Sequence, residues 1–303
     1  MQAPTFLNFN GNITPSDQPI FTSANRAFRY GDAVFETIRL QQGEILFLDR
    51  HLERLRNSMQ LLGMLPHDDL TFHNLYLSIR HLDQVNQLKG NGRIRLEVFR
   101  NDGGLYTPQT NHVSYLIEVT PLSHKDYRLN DHGLRIELYP DIKKPMSRLS
   151  NLKSSNALYY VMAGLYKKQL GIEDCLVLNT EGRIAEAISS NIFLIRGNEL
   201  FTPGLEEACV AGVMREYIIE HERLNGRSVQ ETGITVDDLL KADEIFLTDV
   251  IHGLRWVGAF RHKRYFNTTS RKLLNAIQEA QTKKVWAMLR PFLLERSKIT
   301  SWK

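Results

Sequence analysis

The spacing of apolar residues changes several times along the chain, and each change marks an element. Alternation over 5–9 and over 33–40 (AVFETIRL) predicts strands; Asn10-Gly11 closes the first, and Gln41-Gln42-Gly43-Glu44 turns the second into 45–47. At Leu48, Leu52, Leu55, Met59 and Leu62 the spacing becomes helical, with Asp49 the expected N-cap and Gly63 the stop. Arg54 lies at the edge of that stripe. A second helix is expected over 69–88, ended by Gly90. Strands over 92–99 and 114–119 flank a turn-rich segment, 101–108 (NDGGLYTP), long enough to carry function.

Proline, serine and charge cluster over 121–131, and a strand follows over 134–139. Leu158, Val161, Met162, Leu165 and Leu170 predict a buried helix that Gly171 ends. Strands over 174–178, 183–187, 191–195 and 199–202 read as a four-stranded meander. Helices over 212–224 and 235–242, a strand over 244–248, a small hairpin of 257–260 with 265–266, and a final helix over 270–289 complete the chain. Strands and helices mix in both halves without strict βαβ alternation. The expectation is an α+β protein of two domains, 1–122 and 132–303, joined by a linker over 123–131.

Composition narrows the function classes. The chain has 303 residues, 42% hydrophobic and 24% charged, an ordinary soluble balance with enough length for a sizeable core. A formal charge of +4 suits small anionic substrates. The basic runs Arg261-His262-Lys263-Arg264, Arg271-Lys272 and Lys283-Lys284 belong to no recognisable nucleic-acid module, so no nucleic-acid partner is expected. Two cysteines, Cys175 and Cys209, form no CxxC and no disulfide framework. Neither zinc-ligand spacing nor a GxGxxG after a strand is present, so no metal is expected. No apolar run approaches a membrane span, and MQAPTFLNFNG carries no basic-then-apolar leader; the expected location is cytoplasmic, without a membrane partner.

Four features carry candidate chemistry. In SRLSNLKSSNALYY, Lys153 precedes a helix start, with no carboxylate close by in sequence. A helix N-terminus and burial would both lower its pKa and free a nucleophilic amine; otherwise it is a solvated lysine. Glu186 ends a predicted strand among small and apolar neighbours, and is either an outward strand residue or a carboxylate aimed at a ring nitrogen. Ala208-Cys209-Val210-Ala211-Gly212-Val213-Met214-Arg215 leads small residues into a helix whose first N–H groups could hold an anion. Arg54 could grip a phosphate in bidentate fashion, or lie on the surface.

Taken in order, these parts resemble the class IV pyridoxal-phosphate enzymes, the family of branched-chain aminotransferases, D-amino-acid aminotransferases and aminodeoxychorismate lyases. The resemblance runs from Arg26 to about Trp256. RAFRYGDAVFETIR resembles the family's early active-site strand, and His51-Leu52-Glu53-Arg54-Leu55 the helix whose arginine binds the cofactor phosphate. Lys153 falls at the Schiff-base lysine, and Glu186 through Asn191-Ile192-Phe193 at the stretch whose glutamate pairs with the pyridine nitrogen. Ala211-Gly212-Val213-Met214-Arg215 resembles the phosphate-cupping turn, and Asp243 to Thr248 the last active-site strand. The resemblance implies pyridoxal 5'-phosphate as cofactor between two α+β domains. It places cofactor contacts at Lys153, Arg54, Glu186, Asn191, Gly212, Val213, Met214 and Thr248. It also implies a homodimer in which a loop of one subunit, here 101–108, borders the other's pocket.

The family divides between transamination and lyase chemistry. Lyases tend to carry threonine at Thr37, where branched-chain aminotransferases carry glycine, and Val213-Met214-Arg215 also looks lyase-like. The expected reaction is therefore cleavage of 4-amino-4-deoxychorismate to pyruvate and 4-aminobenzoate, with Lys153 and Thr37 catalytic. Branched-chain or D-amino-acid transamination is the alternative, and Tyr30 and Glu36 suit either. Tyr30, Arg39, Arg93 and Arg95 are the substrate-binding candidates; Arg93 and Arg95, two apart on a strand, share one face and suit an anionic amino substrate. Two departures stand out: Val250 cannot hydrogen-bond a phosphate, and Asp249 would repel one. A reading of another class is a non-catalytic binding protein, which the presence of both Lys153 and Glu186 disfavours.

Overall fold

The computed structural model describes residues 5–280. The first half builds a six-stranded sheet from β1 (Phe6–Phe9), β2 (Asn12–Pro15), β3 (Ala33–Gln41), β4 (Glu44–Ile45), β5 (Gly92–Arg100) and β6 (Val113–Pro121), in the order β2-β1-β6-β5-β3-β4. Its helices are α1 (Arg26–Tyr30), α2 (Leu48–Leu61) and α3 (Phe72–Val85). Alternation decides what each face of this sheet does. Val34, Ile38 and Leu40 of β3, with Ile94, Leu96 and Val98 of β5, point into a core closed by Leu52, Leu55 and Met59 of α2 and Leu75, Ile79 and Leu82 of α3. Each buried side chain of this size contributes about 2 kcal/mol. The opposite face of the same strands presents Phe35, Thr37 and Arg39 in register with Glu97, Arg95 and Arg93.

The second half is a nine-stranded sheet of β7 (Leu134–Leu138), β8 (Asp174–Leu178), β9 (Ile184–Ala187), β10 (Asn191–Arg196), β11 (Glu199–Pro203), β12 (Val229–Thr232), β13 (Glu244–Asp249), β14 (Gly253–Phe260) and β15 (Lys263–Arg264). Its helices are α4 (Leu158–Leu170), α5 (Val213–Leu224) and α6 (Val236–Lys241). The path runs β12-β11-β10-β13-β14-β7-β8-β9, with β15 on β14. The expected four-stranded meander is therefore two hairpins: β8 pairs with β9 and β10 with β11, but β9 does not ladder with β10. A three-residue link joins strands at distant places in the order, with the Ala187 N–H donating to the Ser190 carbonyl at 2.8 Å. The sheet must curl to allow this, and it forms a half-barrel. The two halves together are the α+β, two-domain arrangement expected from the pattern of elements.

Several local expectations change. Asp49 is inside the first turn of α2; the cap is Phe47, in the left-handed region, with no side-chain cap bond. Residues 26–30, expected within a strand motif, form the short helix α1, capped by the Asn25 side chain accepting from Phe28 N–H. The largest change is α4. Its apolar stripe faces out: Leu158 is 75% exposed and Leu165 57%, while only Ala163 of the helix is buried. Helical spacing gave the helix correctly and its buried side wrongly, because small Ala163 is what packs beneath it. Residues 268–280 are helical, and the remainder of the expected last helix, 281–289, lies outside the described residues. No helix among the described residues is long and apolar enough to cross a membrane.

Candidate active site

A cavity of about 1000 Å³ opens between the two sheets, lined by the outward face of β3 and β5, the connection between β7 and α4, the end of β9, the start of α5 and the turn after β13. Of the residues singled out from sequence, Tyr30, Thr37, Arg54, Arg93, Arg95, Lys153, Glu186, Asn191, Gly212, Val213, Met214 and Thr248 all line it. Arg39 does not. Its guanidinium donates to the carbonyls of Ile251 and His124 and sits 4.7 Å from the Tyr127 ring. Alternation puts it on the cavity side of β3, but chain from the other half covers it there. It stitches the halves together and is unavailable to substrate.

Lys153 is placed by strand pairing. The Phe35 N–H donates to the Lys153 carbonyl at 2.8 Å, and the Ser155 N–H to the Ala33 carbonyl at 3.0 Å, so the lysine segment extends the β3 ladder. Helix α4 begins only at Leu158, so the helix dipole expected to act on Lys153 is not the agent. Burial lowers its pKa to about 8, aided by the Arg54 guanidinium and opposed by Glu36 and Glu186. The ammonium nitrogen lies 4.6 Å from the Phe35 ring centre and has no hydrogen-bond or ion-pair partner among the described residues.

Lys144, on the same connection, was not singled out from sequence. Its nitrogen donates to Glu186 Oε1 at 2.6 Å, to the Tyr160 hydroxyl at 2.8 Å and to the Ser150 carbonyl at 2.8 Å. An ammonium has three donors, and all three are committed. Of the two cavity lysines, only Lys153 offers a free amine.

Glu186 is buried on β9, not turned outward. The Tyr160 hydroxyl also donates to its Oε1 at 2.6 Å, and the Val210 N–H donates to Oε2 at 3.0 Å. Arg54 is held as a fork against Glu36, with Nε 2.8 Å from Oε1, and donates to the Ala211 carbonyl at 2.8 Å. Glu36 faces the core, where His51 Nδ1 lies 2.6 Å from its Oε2. Burial would raise the Glu36 carboxyl, but Arg54 and His51 overcome that and hold it at about 2. His51 was missed in sequence, although its i, i+3 relation to Arg54 on α2 puts both on one face of the helix.

The helix start expected to hold an anion opens onto the cavity at α5. No side chain caps this helix, and Gly212, Val213 and Met214 at its start line the cavity. Asn191 braces the turn through Nδ2 to the Val210 carbonyl at 2.9 Å. A Cβ at Gly212 would come within 1.9 Å of Asn191 Oδ1, so a larger residue there would displace the Asn191 side chain that braces the turn. Thr248 points its hydroxyl to the Gly253 carbonyl at 2.7 Å, which commits its proton to the turn.

Asp249 keeps its charge, and that charge is partnered within its own turn. Its Oδ1 accepts the N–H groups of Ile251 (2.8 Å) and His252 (3.0 Å), and its Oδ2 lies 2.9 Å from His252 Nδ1 and 3.9 Å from Arg255 Nε. Burial raises its pKa, but His252 and Arg255 outweigh it and hold the carboxyl at about 2. On the opposite wall, Arg95 pairs with Glu97 and lies 3.9 Å over the Phe35 ring. The Arg93 guanidinium has no hydrogen-bond or ion-pair partner among the described residues; burial and Arg95 disfavour its charge, and Glu118 and Asp249 only partly offset them. An anion entering the cavity would relieve that.

The family model "Amino-transferase class IV" matches residues 33–260. The chain belongs to the class IV aminotransferase family. It is therefore an enzyme of a family that works with pyridoxal 5'-phosphate. Among its relatives, a D-alanine aminotransferase of Bacillus licheniformis is 26% identical over 79% of this chain and 83% of its own length. An aminodeoxychorismate lyase of Bacillus subtilis is 27% identical over 80% of this chain and 82% of its own. A branched-chain amino acid aminotransferase from Escherichia coli shares the fold, with a TM-score of 0.81 at 21% identity, covering 90% of this chain and 93% of that one. The cavity of this family member fits the cofactor. One free amine, a buried carboxylate with an acceptor position to spare, and an uncapped helix start meet in a single space.

Proposed function

We propose that this class IV enzyme holds pyridoxal phosphate with Lys153 as the attachment amine and cleaves 4-amino-4-deoxychorismate to pyruvate and 4-aminobenzoate. The observation that carries the site reading is the unpartnered amine of Lys153 beside the saturated amine of Lys144. When bound, the cofactor supplies an aldehyde for the substrate amine and an electron-withdrawing ring. Glu186 would hold the ring nitrogen, the start of α5 with Arg54 and Asn191 around it would hold the phosphate, and Lys153 Nζ would take the proton from the carbon bearing the substrate amine. Arg93 and Arg95 bind substrate carboxylate. The lyase reading is supported by Thr37, whose position on β3 opposite Arg95 brings a hydroxyl to the cavity wall. Transamination of a branched-chain or D-amino acid is the second reading, supported by the likeness to the D-alanine aminotransferase.

The same reading makes the enzyme a homodimer. Leu158, Val161, Met162 and Leu165 form an exposed apolar stripe on α4, and Leu105 and Tyr106 stand exposed on the 101–108 segment near the cavity mouth. Covering four such side chains is worth several kcal/mol. Sedimentation equilibrium tests this; a monomer at micromolar concentration contradicts it.

The deciding experiment is an absorption spectrum of the cofactor-loaded protein before and after single amino acids, without a keto-acid acceptor. Conversion of the bound chromophore by one amino acid assigns transamination and names the donor. An unchanged spectrum, with pyruvate released from aminodeoxychorismate, assigns the lyase.

A further inference from the structure

The carboxylate of Glu186 has about four acceptor positions, and the structure fills three of them. Oε1 receives Lys144 and Tyr160, both at 2.6 Å, and Oε2 receives the Val210 N–H at 3.0 Å. Tyr160 in turn accepts from Lys144 at 2.8 Å, so lysine, tyrosine and carboxylate close a ring of hydrogen bonds that Ser150 completes through its carbonyl. The Lys144 and Glu186 side chains are about 5% exposed or less. We propose that Lys144 and Tyr160 are positioning residues that hold the Glu186 carboxylate turned so that the remaining position on Oε2 meets the cofactor's ring nitrogen. The inference rests on the reading of the cavity as a pyridoxal-phosphate site.

The physical argument is one of charge. A carboxylate this deeply buried takes up a proton unless a cation or several donors hold it ionised. Lys144 is the only cation bonded to it among the described residues. The other titratable groups around Glu186 do not replace that cation. Tyr160 and Cys209 are pushed up by burial and stay neutral, and Lys153 is the amine that the cofactor uses. Without Lys144 the buried carboxylate loses its cation, and a neutral Glu186 no longer pairs with a protonated ring nitrogen.

The test uses the apoprotein and pyridoxamine 5'-phosphate, which carries no aldehyde and therefore binds without bonding to Lys153. Its affinity is measured by fluorescence titration from mildly alkaline to mildly acidic pH, for the wild type, Lys144→Met and Tyr160→Phe. The expected result is a wild-type to Lys144→Met affinity ratio that grows about tenfold or more as pH falls across this range. Tyr160→Phe, which keeps the lysine, should shift the same way by a few-fold and serves if Lys144→Met does not fold. A ratio independent of pH would mean that Lys144 only supports the fold, and a ratio near one would mean that it does nothing for the ring; either overturns the inference. If the wild type itself does not bind pyridoxamine phosphate, the cofactor-site reading fails instead, a separate outcome.

Discussion

Lys144 and Lys153 belong to one connection and line one cavity, yet their environments are opposites. One nitrogen spends every proton on Glu186, Tyr160 and Ser150; the other has only the face of Phe35 beside it. The difference teaches where reactivity comes from. Both lysines are enclosed, but Lys144 is paired with the Glu186 carboxylate, whereas Lys153 is desolvated beside Arg54 and pushed toward the neutral amine. A carbonyl ligand entering this cavity meets one nucleophile.

The comparison breaks most decisively at Lys153. Lys153→Ala should lower turnover by about a thousandfold or more and abolish borohydride-fixed cofactor, read by mass spectrometry of the reduced protein. Label appearing on Lys144 in that variant would show that the two environments are not distinct. The next largest effect is in pH. Because burial holds Lys153 at about 8, uptake of pyridoxal phosphate by the apoprotein should rise about tenfold per unit as pH increases toward that value and level off above it. Stopped-flow absorbance measures this, and a rate still climbing well past pH 8 would mean an ordinary, solvated lysine.

Smaller effects sharpen the opposite wall. Arg93→Gln should raise KM for a carboxylate-bearing substrate about tenfold to a hundredfold with kcat little changed, since one charge-assisted bond is lost. Steady-state kinetics with an uncharged amine as control would expose a merely structural role by showing the same loss. Thr37→Gly should lower pyruvate release from aminodeoxychorismate several-fold while leaving any transamination half-reaction nearly intact. Equal losses would remove the support that Thr37 gives to the lyase reading.

Where pattern and physics coincide, the sequence is legible. Period-two alternation on β3 and β5 gives the strand assignments and puts Thr37, Arg93 and Arg95 on one face, and the glycine at the start of α5 leaves room for the side chain of Asn191. What escapes is any partner chosen by tertiary approach. Lys144 and Glu186 are forty-two positions apart, and nothing local to either announces the pair. Arg39 obeys the same alternation as Thr37, but the turn carrying Ile251 covers it. The α4 stripe shows the limit of periodicity: 3.6-residue spacing finds a helix and its apolar side, yet cannot say whether that side meets the chain's own core.

The two backbone bonds that tie the lysine segment to β3 have a kinetic consequence. Phe35 and Ser155 donate their amide hydrogens across the boundary between the halves of the molecule, and those hydrogens are shielded only while the halves stay docked. Their hydrogen–deuterium exchange is thus a built-in clock for opening of the cleft. If the lysine segment parts from β3 when the cleft opens, both amides should exchange together and slow together when a ligand bridges the cavity.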